Sequence, residues 1–206
     1  EKIFPEKGLV KMPSGLSFEE GATLPCAALT AWNALFEAGN LKPGNTVLVL
    51  GTGGVSIFAL QFAKAAGARV FATSSSDDKL KRVKEMGADF TINYKENPDW
   101  DKAVLEATNG KGVDQIIEVG GAGTVDRSVK AIRYGGEISM IGLLAGMGSF
   151  DPIKLLMKAI KLQGIFVGSK EMFLNMNQCI EANQIKPLID KTFSVDKAAD
   201  AIDYMQ

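Results

Sequence analysis

The amino-acid sequence predicts an α/β fold: a doubly wound, six-stranded parallel sheet in the order 3-2-1-4-5-6, with helices on both faces. Three observations carry that expectation. Short apolar, β-branched runs alternate with longer segments of helical periodicity along most of the chain. Residues 46–56, TVLVLGTGGVS, pass from a strand through a glycine-rich turn into a helix. The fourth strand also ends on a glycine-rich stretch, Val119 to Gly123. In this order the ends of strands one and four face each other across a crevice.

The elements follow in order. Residues 9–12 read as a short strand. Ser17 and Glu20 have capping-box spacing and open a short helix. A second helix runs over 24–38 and stops at Gly39. Strand one spans 46–50, and its helix, 53–66, closes at Gly67. Strand two is 69–73. A helix over 76–86 follows, with Asp77 and Asp78 where the helix dipole favours anions. Strand three is 90–94 and the next helix 99–108. Strand four is 113–119, its helix 124–132, and strand five 136–142. A helix over 152–161 leads into strand six, 162–167, and a long helix covers 170–183. Right-handed crossovers leave few ways to join such units. Residues 195–206 are amphipathic with helical spacing and end without a glycine cap. Together with Glu1 in place of a start methionine, this predicts a piece of a longer polypeptide.

Composition narrows the function. The chain has 206 residues, 46% hydrophobic and 23% charged, with net charge −1. That balance predicts a soluble globular protein with no basic field for nucleic acid or an anionic membrane. No apolar run approaches the ~18 residues of a membrane span. Two cysteines without framework spacing predict a reducing, cytoplasmic setting. The absence of histidine excludes a histidine-based triad or a histidine-ligated metal within this chain.

The turn after strand one is the main candidate site. Gly51 and Gly53 occupy the first two positions of a dinucleotide-binding glycine pattern, Gly54 adds a third, and Ser56 stands where close helix packing favours glycine. A helix N-terminus behind such a turn offers free N–H groups to a pyrophosphate. Strand two ends in Thr73, Ser74, Ser75 and Ser76, without the carboxylate that usually binds an NAD ribose. Hydroxyls at Ser74 and Ser75 tolerate a 2′-phosphate, Lys79 supplies a cation one turn on, and Tyr94 ends the neighbouring strand. These residues favour NADP and leave NAD as the alternative. The competing reading makes the serines helix caps and Lys79 a solvated lysine; the two readings are equal for Lys79, whereas the position of Ser74 at the end of strand two favours the cofactor.

Beyond these patterns the sequence resembles a known family. Leu24-Pro25-Cys26-Ala27-Ala28-Leu29-Thr30-Ala31-Trp32, Leu41-Lys42-Pro43-Gly44, Gly51-Thr52-Gly53-Gly54-Val55-Ser56, and Ala88-Asp89 with Ile92-Asn93-Tyr94 are similar to the medium-chain dehydrogenase/reductase superfamily. The branch is that of zinc-type alcohol dehydrogenase-like and quinone oxidoreductase-like proteins. The resemblance implies a Rossmann-like cofactor domain at 41–206, with 1–40 as a lead-in to a mostly β catalytic domain outside this chain. It implies hydride transfer between NAD(P)H and a carbonyl, alcohol or activated alkene. It places Thr30 near the nicotinamide and Gly53, Gly54 and Val55 at the pyrophosphate. Ser74 falls where NAD-dependent zinc members carry aspartate, and Lys79 and Tyr94 where quinone oxidoreductase-like members hold the 2′-phosphate. Val119, Gly120, Ile141, Gly142 and Leu143 match loops lining adenosine and nicotinamide, with Phe166 and Val167 beside the ring.

Cys26 falls at a catalytic zinc ligand of the zinc-dependent members. With the other ligands outside this chain, Cys26 is expected to be a small buried helix residue and the chain to hold no metal. Cys179 is expected in the core. The apolar edge of strand six predicts a homodimer. The resulting expectation is the cofactor domain of an NADP-dependent reductase acting on a small-molecule substrate. The competing expectation is a nucleotide-sensing or scaffold protein on the same fold that has lost its chemistry.

Overall fold

The computed structural model describes residues 3–144, 146 and 148–205. Glu1 and Gln206, which bound the sequence expectations at either end, lie outside the described residues. Six strands form one sheet in the order β3-β2-β1-β4-β5-β6. They are β1 (Thr46–Val49), β2 (Arg69–Ser74), β3 (Phe90–Asn93), β4 (Val113–Glu118), β5 (Ile132–Met140) and β6 (Lys161–Gly164), and every pairing is parallel. The expected fold class and strand order are both present.

A parallel sheet must be covered on both faces, because crossover helices return over each side. Alternate residues of β1 therefore serve two cores. Val47 and Val49 face one core with Val70, Ala72 and Ile117, covered by α2 (Leu29–Trp32), α3 (Gly54–Ala65), α4 (Asp77–Glu85) and α8 (Lys170–Asn183). Leu48 and Leu50 face the other with Phe71, Ile116 and Ile138, covered by α5 (Trp100–Ala107) and α6 (Val125–Ala131). Phe62, Phe71 and Leu60 are fully buried. Each such side chain contributes about 1.5–3 kcal/mol of transfer free energy.

Polar anchors fix the edges of these layers. The Asp114 carboxylate accepts from Thr46 N at 2.7 Å and Arg133 Nε at 2.5 Å, tying the start of β1 to β4 and β5. Lys158, the last residue of α7 (Ile153–Lys158), donates to the carbonyls of Val129, Lys130 and Ile132 at 3.0, 2.8 and 2.8 Å. It thereby satisfies carbonyls left open at the end of α6. Burial holds its ammonium below the ordinary lysine range.

Several expected boundaries change. Residues 9–12 are not a strand. The segment crosses α8, where Asn177 Nδ2 donates to Lys11 O at 2.9 Å and the Glu181 carboxylate accepts from Ser14 N, so no sheet edge is within reach. The capping box at Ser17 and Glu20 is present and opens α1 (Phe18–Ala22). The helix expected over 24–38 is one helical run with wide π turns at Leu24–Ala28 and Asn33–Glu37. Pro25 falls in the first turn of the first of these, where its missing N–H is tolerated. Strand six is shorter and displaced: it begins at Lys161 and ends at Gly164, leaving Leu162 as its one large apolar side chain. Beyond it Val167 turns left-handed, with φ 51°, and its carbonyl accepts from Asn33 Nδ2 at 2.8 Å. The C-terminal stretch forms α9 (Ala198–Tyr204). Cys26 is exposed rather than buried, on the outer side of the turn after Pro25. Cys179 is half-buried against the core rim, and burial raises its thiol pKa. Among the described residues no helix is long and apolar enough to cross a membrane.

Gln115, Glu137 and Lys161 sit side by side across β4, β5 and β6, close to the carbonyls that end the 24–37 run. Burial pushes the Glu137 carboxyl above the ordinary carboxylate range, and Lys161, at 3.2 Å, offsets part of the effect. The folded state thus favours protonated Glu137. That preference is complete below the ordinary value and is lost as pH rises through the raised one. Glu137→Gln stays neutral throughout, so its stability relative to the parent increases as pH rises from the ordinary carboxylate range through the raised one. Urea midpoints across that range check this; a constant difference refutes it.

Candidate functional site

The chain leaving β1 enters α3 on one face of the sheet, and the chain leaving β4 enters α6 on the other. Neither connection covers the gap between the two strand ends, which is where ligands bind in open α/β sheets. A cleft of about 390 Å³ lies there, walled by the β1–α3 turn, Ser74, Ser75, Lys79, Tyr94 and Val119. A second volume of about 440 Å³ continues it over β4, sharing Leu50, Gly51, Tyr94, Val119 and Leu144.

The β1–α3 turn is built for close approach. Gly51 has φ 74°, a left-handed turn that favours glycine, and its N–H donates to Thr73 Oγ1 at 3.2 Å. Ser56 Oγ donates to Leu50 O at 2.7 Å, locking the turn against the end of β1. At Gly54 an added Cβ would sit 3.1 Å from Ala27 Cβ, so helix packing explains that glycine. Gly53 is different. Its φ of −77° suits any residue, and an added Cβ would meet no protein atom within 4 Å. Nothing in the fold demands glycine there; the open space in front of it does. Gly53 is also the N-cap of α3, which has no side-chain cap and no acid in its first turn. Its leading N–H groups and positive dipole end are left for an anion.

On the other wall the three serines separate into two roles. Ser76 caps α4, accepting from Lys79 N at 3.5 Å. Ser74 and Ser75 line the cleft instead. Ser74 is buried at the end of β2, and its Oγ accepts from Ser76 N at 3.4 Å, leaving its own proton to donate. Its carbonyl accepts from Tyr94 N at 3.0 Å, which brings Tyr94 to the same wall. Lys79 is exposed at the rim. Among the described residues no carboxylate lines this part of the cleft, and the single charge there is Lys79. The donor set suits an elongated anion.

The β4 end supplies the floor. Val119 lines both volumes and Gly120 the second. Glu118, just before them, is fully buried; its carboxylate accepts from Gly120 N, Gly121 N and Thr124 Oγ1 at 2.9, 3.1 and 2.5 Å and also from Ser128 Oγ. Farther along, Trp100, Pro98 and Arg127 close the second volume. The Arg127 guanidinium is held by Asp99 and Asp101 at 3.1 and 2.8 Å.

The cleft thus gathers Gly51, Gly53, Gly54, Val55, Ser74, Ser75, Lys79, Tyr94, Val119 and Gly120 of the expected site. Others lie elsewhere. Thr30 is buried on the inner face of α2 and lines neither volume. Gly142 packs on the β4 end, where an added Cβ would fall 2.4 Å from Val119 O. Leu143 lines a separate cavity of about 270 Å³ with Phe150 and Leu162, and its neighbour Leu144 reaches the cleft instead. Phe166 is 95% exposed. Sequence reasoning missed Thr73, Trp100, Arg127 and Glu118. An acid between Ile117 and Val119, in an otherwise apolar strand end, was the one available signal for Glu118.

Comparison with known proteins gives a consistent picture. The family model described as zinc-binding dehydrogenase matches residues 54–182. A zinc-type alcohol dehydrogenase-like protein of Schizosaccharomyces pombe is 51% identical over 98% of this chain and 60% of its own length. A quinone oxidoreductase of Rattus norvegicus is 32% identical over 92% of this chain and 59% of its own length. The crystal structure of a putative alcohol dehydrogenase from Sinorhizobium meliloti superposes with TM-score 0.92 at 41% identity, over 98% of this chain and 59% of that one. The chain therefore spans about 60% of the length of these relatives.

The space around Gly53 and Gly142 predicts opposite outcomes at the two positions. Gly53→Ala keeps its stability within about 0.5 kcal/mol of the parent, because the new methyl enters open space. Gly142→Ala loses about 1–3 kcal/mol, because the methyl strikes backbone. Urea unfolding of both variants checks this; a strongly destabilised Gly53→Ala refutes the open-space argument.

Proposed function

The chain belongs to the zinc-binding dehydrogenase family, and from that premise we propose that it is the nucleotide-binding part of an oxidoreductase that transfers hydride between NADPH and a carbonyl, alcohol or quinone/enone substrate. The observation that carries this reading is Gly53: an unstrained glycine facing open space at an uncapped helix N-terminus. A bound nicotinamide cofactor supplies the hydride chemistry. The chain's residues bind and orient. The N–H groups of Gly54 and Val55 receive the pyrophosphate at the head of α3. Ser74, Ser75 and Lys79 take the 2′-phosphate, with Tyr94 beside them. Val119 gives an apolar floor that excludes water. In the same reading, residues 1–40 lead into a substrate-holding region outside this chain, where the acid and base of the reaction reside.

Zinc is a separate matter. Among the described residues no three His, Cys, Asp or Glu side chains gather into a possible metal site. Cys26 is one donor, and a catalytic zinc needs about three from the protein. These residues do not make a zinc centre by themselves.

Calorimetric titration of the chain with NADPH and NADH tests the reading. NADPH binds more tightly; Ser74→Asp, by like-charge repulsion, and Lys79→Ala each weaken it about tenfold or more while changing NADH less. Preference for NADH refutes the NADP assignment, and binding of neither refutes the nucleotide site. Turnover of carbonyl or quinone substrates by the full-length protein separates an enzyme from a nucleotide sensor.

The reading also includes a homodimer. Its support is α7, the helix that leads into β6, whose Ile153, Leu156 and Met157 are all exposed. Sedimentation velocity is expected to show a dimer that Leu156→Asp dissociates. A parent chain that stays monomeric at high concentration refutes this.

A further inference from the structure

Glu118 is a carboxylate with no exposed surface, at the point where β4 gives way to the cleft floor. Among the described residues it takes part in no ion pair. A buried charge without a cation is costly unless hydrogen bonds converge on it. Four do. Gly120 N, Gly121 N and Thr124 Oγ1 all donate to Oε1, and Ser128 Oγ donates to Oε2. The backbone of the same residue is a second node: its carbonyl accepts from Ile141 N at 2.8 Å, and the next carbonyl, of Val119, accepts from Leu144 N at 3.3 Å. One residue thus joins the β4 turn, the first turns of α6 and the loop after β5.

We infer that Glu118 is a positioning residue for the nucleotide, an inference that rests on the reading above. It acts through Val119 and Gly120, which line the cleft, and touches no ligand itself. By taking the N–H groups of Gly120 and Gly121 it turns that pair of donors inward. Among the described residues at the two strand ends, the β1–α3 turn is then the backbone anion site left for the phosphates. The two glycine-rich strand ends have different jobs: one binds, and the other is folded over a buried acid to form a floor. Gly120 suits the second role, since an added Cβ would fall 2.3 Å from Thr124 Oγ1.

The test uses three variants and NADPH calorimetry, with urea unfolding alongside. Glu118→Leu keeps the volume but orphans the two glycine N–H groups, and weakens NADPH binding roughly tenfold. Glu118→Gln is a rescue, within about threefold of the parent. Its carboxamide oxygen accepts from both glycines and its NH2 donates to Ser128 Oγ. Ser128→Ala, at a buried residue that lines neither volume, also weakens binding, but not when added to Glu118→Leu. A merely structural role would not separate Gln from Leu or make Ser128 depend on Glu118. If Glu118→Leu fails to fold, Ser128→Ala and Glu118→Gln still decide the matter. Parental affinity in Ser128→Ala, or equal loss in Gln and Leu, overturns the inference while the nucleotide site stands. A parent that binds neither NADPH nor NADH overturns both.

Discussion

The structure depends on one constraint: β1 and β4 are adjacent, parallel, and followed by helices on opposite faces. Both strands are buried along their whole length, so each must alternate between two cores. That arrangement needs crossovers to both sides, and crossovers to both sides cannot close the space between the strand ends. The cleft is a consequence of packing the sheet. What the sequence adds at that place is chemistry: a helix start without a cap, hydroxyls without a carboxylate, and a lysine at the rim.

The glycines show how different causes produce the same residue. Gly51 is required by a left-handed turn, Gly54 by helix packing against Ala27, and Gly142 by the carbonyl of Val119. Gly53 is required by none of these. A pattern match treats all of them alike, whereas the space around each separates fold from site. The same sorting divides the serines, with Ser76 spent on a helix cap and Ser74 and Ser75 left to the cleft.

Electrostatics at the two strand ends are likewise unequal. The β1 side presents unpaired N–H groups and the positive end of α3. The β4 side turns its N–H groups inward to Glu118, a charge whose burial is tolerable only because four donors meet it. A single face of the cleft is therefore prepared for an anion. In the proposed reading, an elongated ligand lying across both ends is held at its phosphates on one side and rests on an apolar floor on the other.

The sequence by itself determined the fold class, the strand order and the glycine turn, because alternating periods and turn residues are local signals and right-handed crossovers leave few orders in which to assemble them. It did not determine the 9–12 segment, whose strand-like pattern finds no edge to pair with and crosses α8 instead. Nor did it determine the end of β6, where Asn33, remote in the chain, captures the carbonyl of Val167. Which of Thr30, Leu143 and Leu144 lines the cleft was decided by which side of a buried helix or loop faces it. Glu118 was legible only as an acid directly after the apolar pair Ile116 and Ile117. What it does depends on four donors from a turn and a helix, and such convergence exists only once the chain has folded.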